Sequence, residues 1–120
     1  MRLVIFAAVL LALAQTRCND SGPTLTAPVT NQVTITIPSG AMSAGSAAFG
    51  TNPLHVPLNS VVVWQNSDSV AHDIVSNTNL WNTGSLAAGA TSGSVQFTSN
   101  GTYDYHCSIH NTMTGEIIVP

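Results

Sequence analysis

The chain has 120 residues, of which 44% are hydrophobic and only 6% are charged, and its formal net charge is −3. This length gives room for one domain, and the composition is typical of a globular rather than a disordered chain. Arg2 and Arg17 are the only basic residues, which excludes the basic face that a nucleic-acid partner requires. The acidic residues are scattered along the sequence, and we expect all five on the solvated surface: Asp20, Asp68, Asp73, Asp104 and Glu116.

The N-terminus has the composition of an export signal. One charge, on Arg2, precedes twelve apolar residues from Leu3 to Ala14, a run too short to span a bilayer as a permanent helix. Its Ala-Leu-Ala end fits a small-x-small cleavage site. The sequence therefore predicts a signal peptide at 1–14 and a mature chain that begins at Gln15.

Cys18 offers an alternative start for the mature chain. A cysteine shortly after an apolar run resembles the start of a bacterial lipoprotein, with the flexible segment 15–30 as a tether to the membrane. Gln15-Thr16-Arg17 is a poor approach to a lipid-modified cysteine, so cleavage after Ala14 is the favoured interpretation. Both alternatives place the domain at 31–120 outside the cytoplasm, in the periplasm or the extracellular space.

From Asn31 onward the chain alternates apolar and polar residues in short runs separated by Gly, Pro and Asn, which predicts strands and no helix. Trp64, in the most apolar run, is expected to anchor the core. Leu80 and Trp81 lie in a turn-rich loop at 77–84 and would form a lid over one side of it. The small residues of 41–50 predict a flexible connection. The predicted strands are 33–37, 54–58, 61–66, 71–76, 94–98, 103–107 and 116–119.

About seven to eight strands of this kind predict an all-β fold, an antiparallel β-sandwich with Greek-key connections. The Asn100-Gly101 dipeptide is a hairpin signal that would return the chain into the strand ending at Cys107. In that strand Tyr103, Tyr105 and Cys107 occupy one face, since successive side chains point to opposite faces. Cys107 is then expected to point inward at the strand's end, with His106 on the outer face.

Thiol, imidazole and thioether donors are clustered just after this strand. Cys107, His110 and Met113 follow one another at intervals of three residues, and His72 stands 35 residues upstream of the cysteine. Two His nitrogens and one Cys thiolate in a trigonal arrangement, with a weak Met sulfur on the axis, are the ligands of a blue copper site. The four residues therefore predict a site for one type 1 copper ion that cycles between Cu(I) and Cu(II).

The sequence around these residues resembles the plastocyanin-like cupredoxins. The resemblance is carried by Val61-Val62-Val63-Trp64-Gln65-Asn66, Val70-Ala71-His72-Asp73, Gly101 to His110, and Met113 to Val119, and it extends from about Val33 to Val119. The gap between His110 and Met113 is similar to that of the amicyanins. The resemblance implies a small monomeric electron carrier that is not an enzyme, and whose protein redox partners dock at the copper end near His110.

Two residues depart from the family's pattern. Asp73 stands where these proteins have an Asn that ties the two ligand segments together by hydrogen bonds. A carboxylate can accept a bond from Ser108 but cannot donate one. Ile109 replaces a proline and restores an N–H near the thiolate, where a hydrogen bond would lower electron donation by the sulfur.

Other functions remain open at this point. A structural zinc site could use the same Cys and His residues, but Met113 would then be idle. A cysteine nucleophile paired with His72 would need an open cleft, and a disulfide between Cys18 and Cys107 would consume the thiolate. A copper-delivery protein of the same fold is the main alternative, although the exposed Met- or His-rich sequence expected of a carrier is limited to isolated Met42 and His55.

Overall fold

The computed structural model describes residues 31–120, which form two packed β-sheets. The β-sandwich and its strand number confirm the prediction. The smaller sheet has the order β1-β3-β6, and the larger has the order β2-β8-β7-β4-β5. The predicted signal peptide and tether, together with Cys18, lie outside the described residues. The strands are β1 (Gln32–Ile37), β2 (Leu54–His55), β3 (Val61–Asn66), β4 (His72–Ser76), β5 (Asn82–Leu86), β6 (Val95–Gln96), β7 (Gly101–Cys107) and β8 (Thr114–Val119).

The sheets are mixed rather than purely antiparallel as predicted. β1 pairs with β3, and β2 with β8, in parallel, whereas the other four strand pairs are antiparallel. Hydrophobic alternation reveals which face of a strand is buried but not the direction of its neighbour. The parallel pairs arise because the intervening chain crosses the sandwich and re-enters from the same end.

The predicted hairpin at Asn100-Gly101 is wrong. β6 pairs with β3 in the smaller sheet, whereas β7 pairs with β4 and β8 in the larger one, so this turn carries the chain from one sheet to the other. The predicted loop 77–84 is also too long, since β5 begins at Asn82 and pairs with β4. As an edge strand with mostly exposed residues, β5 lacks the apolar alternation that would have revealed it.

The segment 41–50 is packed against the core rather than being a flexible connection. It forms two single-turn 3₁₀ helices, Ala41–Ser43 and Gly45–Ala47, and buries Ala41, Ala48 and Phe49. Short 3₁₀ turns leave little periodicity in a sequence. The segment therefore showed only its high content of small residues and not its two turns. Among residues 31–120, no helix has the length and apolar character needed to cross a membrane.

Aromatic side chains fill the space between the sheets. Trp64 has no exposed surface, which confirms its predicted role in the core. Trp81 stacks on it with ring centroids 4.7 Å apart, and Tyr105 meets it edge-on at 5.6 Å. Leu80, beside Trp81, remains 68% exposed. Burial raises the pKa of the Tyr105 hydroxyl, so this side chain stays neutral in the core.

Gly115 allows the Tyr105 ring to lie flat against β8. A Cβ at position 115 would lie 2.5 Å from the Tyr105 hydroxyl and 2.6 Å from Cε2, and Tyr105 is only 2% exposed. We therefore expect Gly115→Ala to reduce the free energy of unfolding by roughly 1–3 kcal/mol, the usual effect of overpacking a core, measured by chemical denaturation. Gly93→Ala is the control because nothing lies within 4 Å of its Cβ position. Equal stability of the two variants would contradict this account.

Candidate metal centre

The pairing of β4 with β7 brings the distant histidine to the cysteine. The two strands are antiparallel with Ile74 opposite Cys107, so the start of β4 lies beside the end of β7. His72 and Cys107 have no exposed surface. The predicted alternation is confirmed, since Tyr105 and Cys107 are buried whereas Asp104 is exposed.

The loop between β7 and β8 is closed by its own backbone. The Cys107 N–H donates to the Met113 carbonyl at 3.1 Å, and the Met113 N–H donates to the His110 carbonyl at 2.9 Å. These bonds fold His110 back over the end of the sandwich and bury Met113 completely. Tight loop closure is thus the local reason why residues three apart in sequence converge.

Three donor atoms converge at this end of the domain. Cys107 Sγ lies 3.7 Å from His72 Nδ1 and 3.7 Å from His110 Nδ1, and the two imidazole nitrogens are 3.2 Å apart. A point equidistant from three atoms at these separations lies about 2.1 Å from each, within the roughly 2.0–2.3 Å of bonds from zinc to imidazole and thiolate. The three side chains therefore form a cradle of the size that a first-row metal ion requires.

The protonation of His72 also suits a metal ion. Its Nε2 lies 3.1 Å from Asp68 Oδ2, so Nε2–H donates to the carboxylate and leaves a lone pair on Nδ1. This lone pair faces the His110 nitrogen and the cysteine sulfur. A carboxylate on the far nitrogen of a metal-binding imidazole fixes its tautomer and orientation. A His110 ring with its proton on Nε2 presents a second lone pair at this point, and a cation between the two nitrogens can bind both.

Asp68 was wrongly expected on the solvated surface, for it is only 5% exposed. Besides the bond from His72, its carboxylate accepts from the backbone N–H groups of Gly40 at 3.1 Å and Ser69 at 2.8 Å. The Gly40 bond is the largest influence that holds the pKa of Asp68 below its usual value, against the opposing effect of burial. The sequence contained one indication of this contact, because Asp68 lies four residues before His72. That spacing is a weak predictor of contact outside a helix.

Asn66 fixes the segment that carries Asp68 and His72. Its side-chain NH₂ donates to the carbonyls of Val70 at 2.8 Å and Leu86 at 2.9 Å. Its carbonyl oxygen accepts from the Asp68 N–H at 2.9 Å. Because Asn66 has no exposed surface and its side chain is bonded on both ends, it holds the β3–β4 connection in one shape. The sequence showed Asn66 only as a strand end.

Asp73 links the two ligand-bearing segments in spite of its departure from the family's pattern. The Ser108 hydroxyl donates to Asp73 Oδ2 at 2.8 Å, and the Ser108 N–H donates to the Asp73 carbonyl at 2.8 Å. The Asp73 N–H in turn points to Cys107 Sγ at 3.5 Å. Within residues 31–120 this N–H is the backbone donor found on the sulfur, and the effect of the Ile109 N–H on electron donation stays a prediction.

The remaining histidines lie away from the cradle, as expected. His55 is exposed in β2. His106 faces outward, and its Nδ1 lies 2.6 Å from Asn77 Oδ1. Binding of a metal by the Met113 sulfur stays a prediction, although the side chain is buried at the end of the ligand loop.

The chain is similar to copper proteins of known structure. A family model described as a cupredoxin-like domain matches residues 3–119. A purple cupredoxin from Nitrosopumilus maritimus is 33% identical, with a TM-score of 0.65 over 73% of this chain and 99% of that chain. A Cu(I) form of an amicyanin variant is 25% identical, with a TM-score of 0.60 over 75% of this chain and 83% of that one.

Amicyanin from Paracoccus denitrificans is 32% identical over 80 residues, which cover 59% of this chain. The match spans 57% of that relative's length. The His72, Cys107 and His110 cradle fits the copper ion that such relatives hold. Since the family match extends over nearly the whole sequence, the protein belongs to the cupredoxin-like family.

Proposed function

We propose that the protein is a small exported type 1 copper protein that carries single electrons between protein redox partners, and that it is not an enzyme. The observation that carries the proposal is the cradle formed by the two imidazole nitrogens and the thiolate, with mutual distances of 3.2–3.7 Å. A bound copper ion would supply the one-electron Cu(II)/Cu(I) couple. His72, Cys107 and His110 would hold it, with the Met113 sulfur as a fourth and weaker donor.

The surroundings of the ligands support a carrier rather than a catalyst. His72, Cys107 and Met113 have no exposed surface, so neither a substrate nor water reaches the thiolate. Two surface concavities of about 320 and 260 Å³ are lined by other residues. The buried thiol thus lacks the open cleft that a cysteine nucleophile needs.

The same burial favours electron transfer over copper delivery, the alternative left open by the sequence. A delivery protein must pass its ion to ligands of a partner, which requires several of its own donors to be accessible. Here only His110 is partly exposed among the four proposed ligands. An electron needs only a short path to the surface, and the His110 edge supplies one.

The surface around His110 favours docking through apolar contact. Ile109 is 51% exposed and Met42 is 46% exposed, and the Thr112 hydroxyl donates to the Met42 carbonyl at 3.3 Å, so the first 3₁₀ turn lies beside the ligand loop. The neighbouring residues Ala71, Ile109 and Thr112 are all uncharged. A face of this kind predicts association that depends only weakly on salt, because electrostatic steering is the source of steep salt dependence.

The first prediction from the proposed function concerns the ligand set. Copper(II) added to the purified apo-protein should produce an intense blue colour from thiolate-to-copper charge transfer. Cys107→Ser should abolish the colour, because the hydroxyl does not supply a thiolate, yet the domain should remain folded by circular dichroism. Met113→Leu should keep the colour and raise the reduction potential, because an axial donor is lost.

His55→Gln is the matched control for these variants, since His55 is exposed and far from the cradle, and its absorption should equal that of the unchanged protein. A colourless product from the unchanged protein would falsify the type 1 copper proposal. If Met113→Leu loses copper altogether, Met113 has a role other than weak axial ligation.

A second prediction concerns docking at the copper end. Electron self-exchange between reduced and oxidised protein requires two copies to meet near His110. Ile109→Asp should slow this exchange by about tenfold or more, because like charges brought together at an interface cost several kcal/mol. NMR line broadening in mixtures of the two redox states measures the rate.

Leu80→Asp is the control for added charge, because Leu80 follows β4 at the opposite end of the domain and is 68% exposed. It should change the self-exchange rate far less than Ile109→Asp. Equal slowing by both variants would show that net charge, and not the face around His110, governs the encounter.

A third prediction concerns export. Protein expressed with its own N-terminus in a bacterial host should lose residues 1–14 and begin at Gln15, or begin at a lipidated Cys18. The apolar run and the Ala-Leu-Ala sequence support cleavage. Intact-mass spectrometry distinguishes the two products, and retention of Met1 would contradict both.

A further inference from the structure

Two carboxylates contact the segments that carry the proposed ligands. Asp68 Oδ2 lies 3.1 Å from His72 Nε2. Asp73 accepts the Ser108 hydroxyl at 2.8 Å and follows His72 directly in the chain. Residues 31–120 contain no Lys or Arg, so within the described domain no basic side chain neutralises either carboxylate.

Asp73 is also left with an unused oxygen. Its Oδ1 is buried and accepts no hydrogen bond from the described residues, although an ionised carboxylate can accept about four. A buried acceptor without a donor costs stability, and such a group in a folded protein calls for an explanation. The Asp73 carboxylate, which accepts the Ser108 hydroxyl only at Oδ2, therefore keeps most of its negative charge next in the chain to His72.

We propose that Asp68 and Asp73 bias the centre toward Cu(II) and so lower its reduction potential. The inference rests on the proposed function. Reduction removes one positive charge from the centre, and a nearby negative charge stabilises the higher charge more, especially where burial weakens screening. Asp68 acts through the His72 ring and Asp73 through space, and both are positioning residues that do not contact the ion.

An Asn substitution isolates the charge from the geometry at position 73, where the side chain keeps an oxygen that can accept from Ser108. At position 68 an Asn can keep its oxygen toward His72 Nε2–H, but its NH₂ then replaces the oxygen that accepts from the Gly40 and Ser69 N–H groups. The hydrogen bond on the sulfur comes from the Asp73 backbone, so it is unaffected by a side-chain change. What Asp73→Asn removes is therefore the negative charge itself, whereas Asp68→Asn removes the charge together with the Gly40 and Ser69 bonds.

The experiment measures reduction potentials of the copper-loaded variants by spectroelectrochemistry, with the blue absorption as a check on the ligands. Asp73→Asn and Asp68→Asn should each weaken the preference for Cu(II) over Cu(I) about tenfold, which raises the potential of a one-electron couple by about 59 mV. Asp104→Asn is the matched control, because this exposed carboxylate lies on β7 three residues before Cys107, and its removal should leave the potential unchanged.

Asp73→Glu tests whether charge or packing is responsible, and it should retain the low potential because the charge is kept. Equal shifts for Asp73→Asn and Asp73→Glu would overturn the role of the Asp73 charge. Blue Asn variants that share the potential of the unchanged protein would overturn the inference alone. If Asp73→Asn loses its colour, the change in the reduction potential of Asp68→Asn tests the inference instead. An unchanged protein that stays colourless overturns the proposed function and this inference together.

Discussion

The register between β4 and β7 is the constraint on which the metal centre depends. With Ile74 opposite Cys107, the start of one strand and the end of the other meet at a single edge of the larger sheet. A slip of one residue would turn Cys107 from the buried to the solvent face, because side chains alternate along a strand. The apolar core therefore protects the site, since the same slip of β7 would also expose Tyr105, which is buried in the core.

Once the register is set, polar side chains determine the positions of individual atoms. Asn66 holds the β3–β4 connection through hydrogen bonds from its amide NH₂ and to its amide oxygen. Asp68 accepts a hydrogen bond from the far nitrogen of His72 and so fixes the ring. Ser108 and Asp73 then join the two ligand-bearing segments. Buried polar groups with satisfied partners rigidify a core. A centre held in this way changes little in shape, which under the proposed function keeps the reorganisation that accompanies electron transfer small.

Sequence reasoning succeeded where the signal was local and failed where it depended on contacts between distant segments. Donor spacing pointed to Cys107 and His110, and alternation placed Cys107 inward, because both follow from local backbone geometry. The family resemblance pointed to His72, which lies 35 residues before Cys107. Tertiary contacts leave no periodic pattern in the sequence. They determine the crossing from one sheet to the other after β6, the parallel strand pairs and the packing of 41–50. Asp68 was misplaced for the same reason, since its partner at Gly40 is 28 residues away.

The distribution of charge separates the control of the potential from the recognition of partners. Every Asp and Glu of the described domain lies in the β3–β4 connection or on β4, β7 and β8, whereas the surface around His110 carries Ile109 and Met42. Asp68 and Asp73 contact the ligand-bearing segments, while Asp104 and Glu116 face each other across β7 and β8, where water screens them. Under the proposed function, the buried Asp68 and the half-buried Asp73 can therefore adjust the copper couple without placing charge on the face through which the electron leaves.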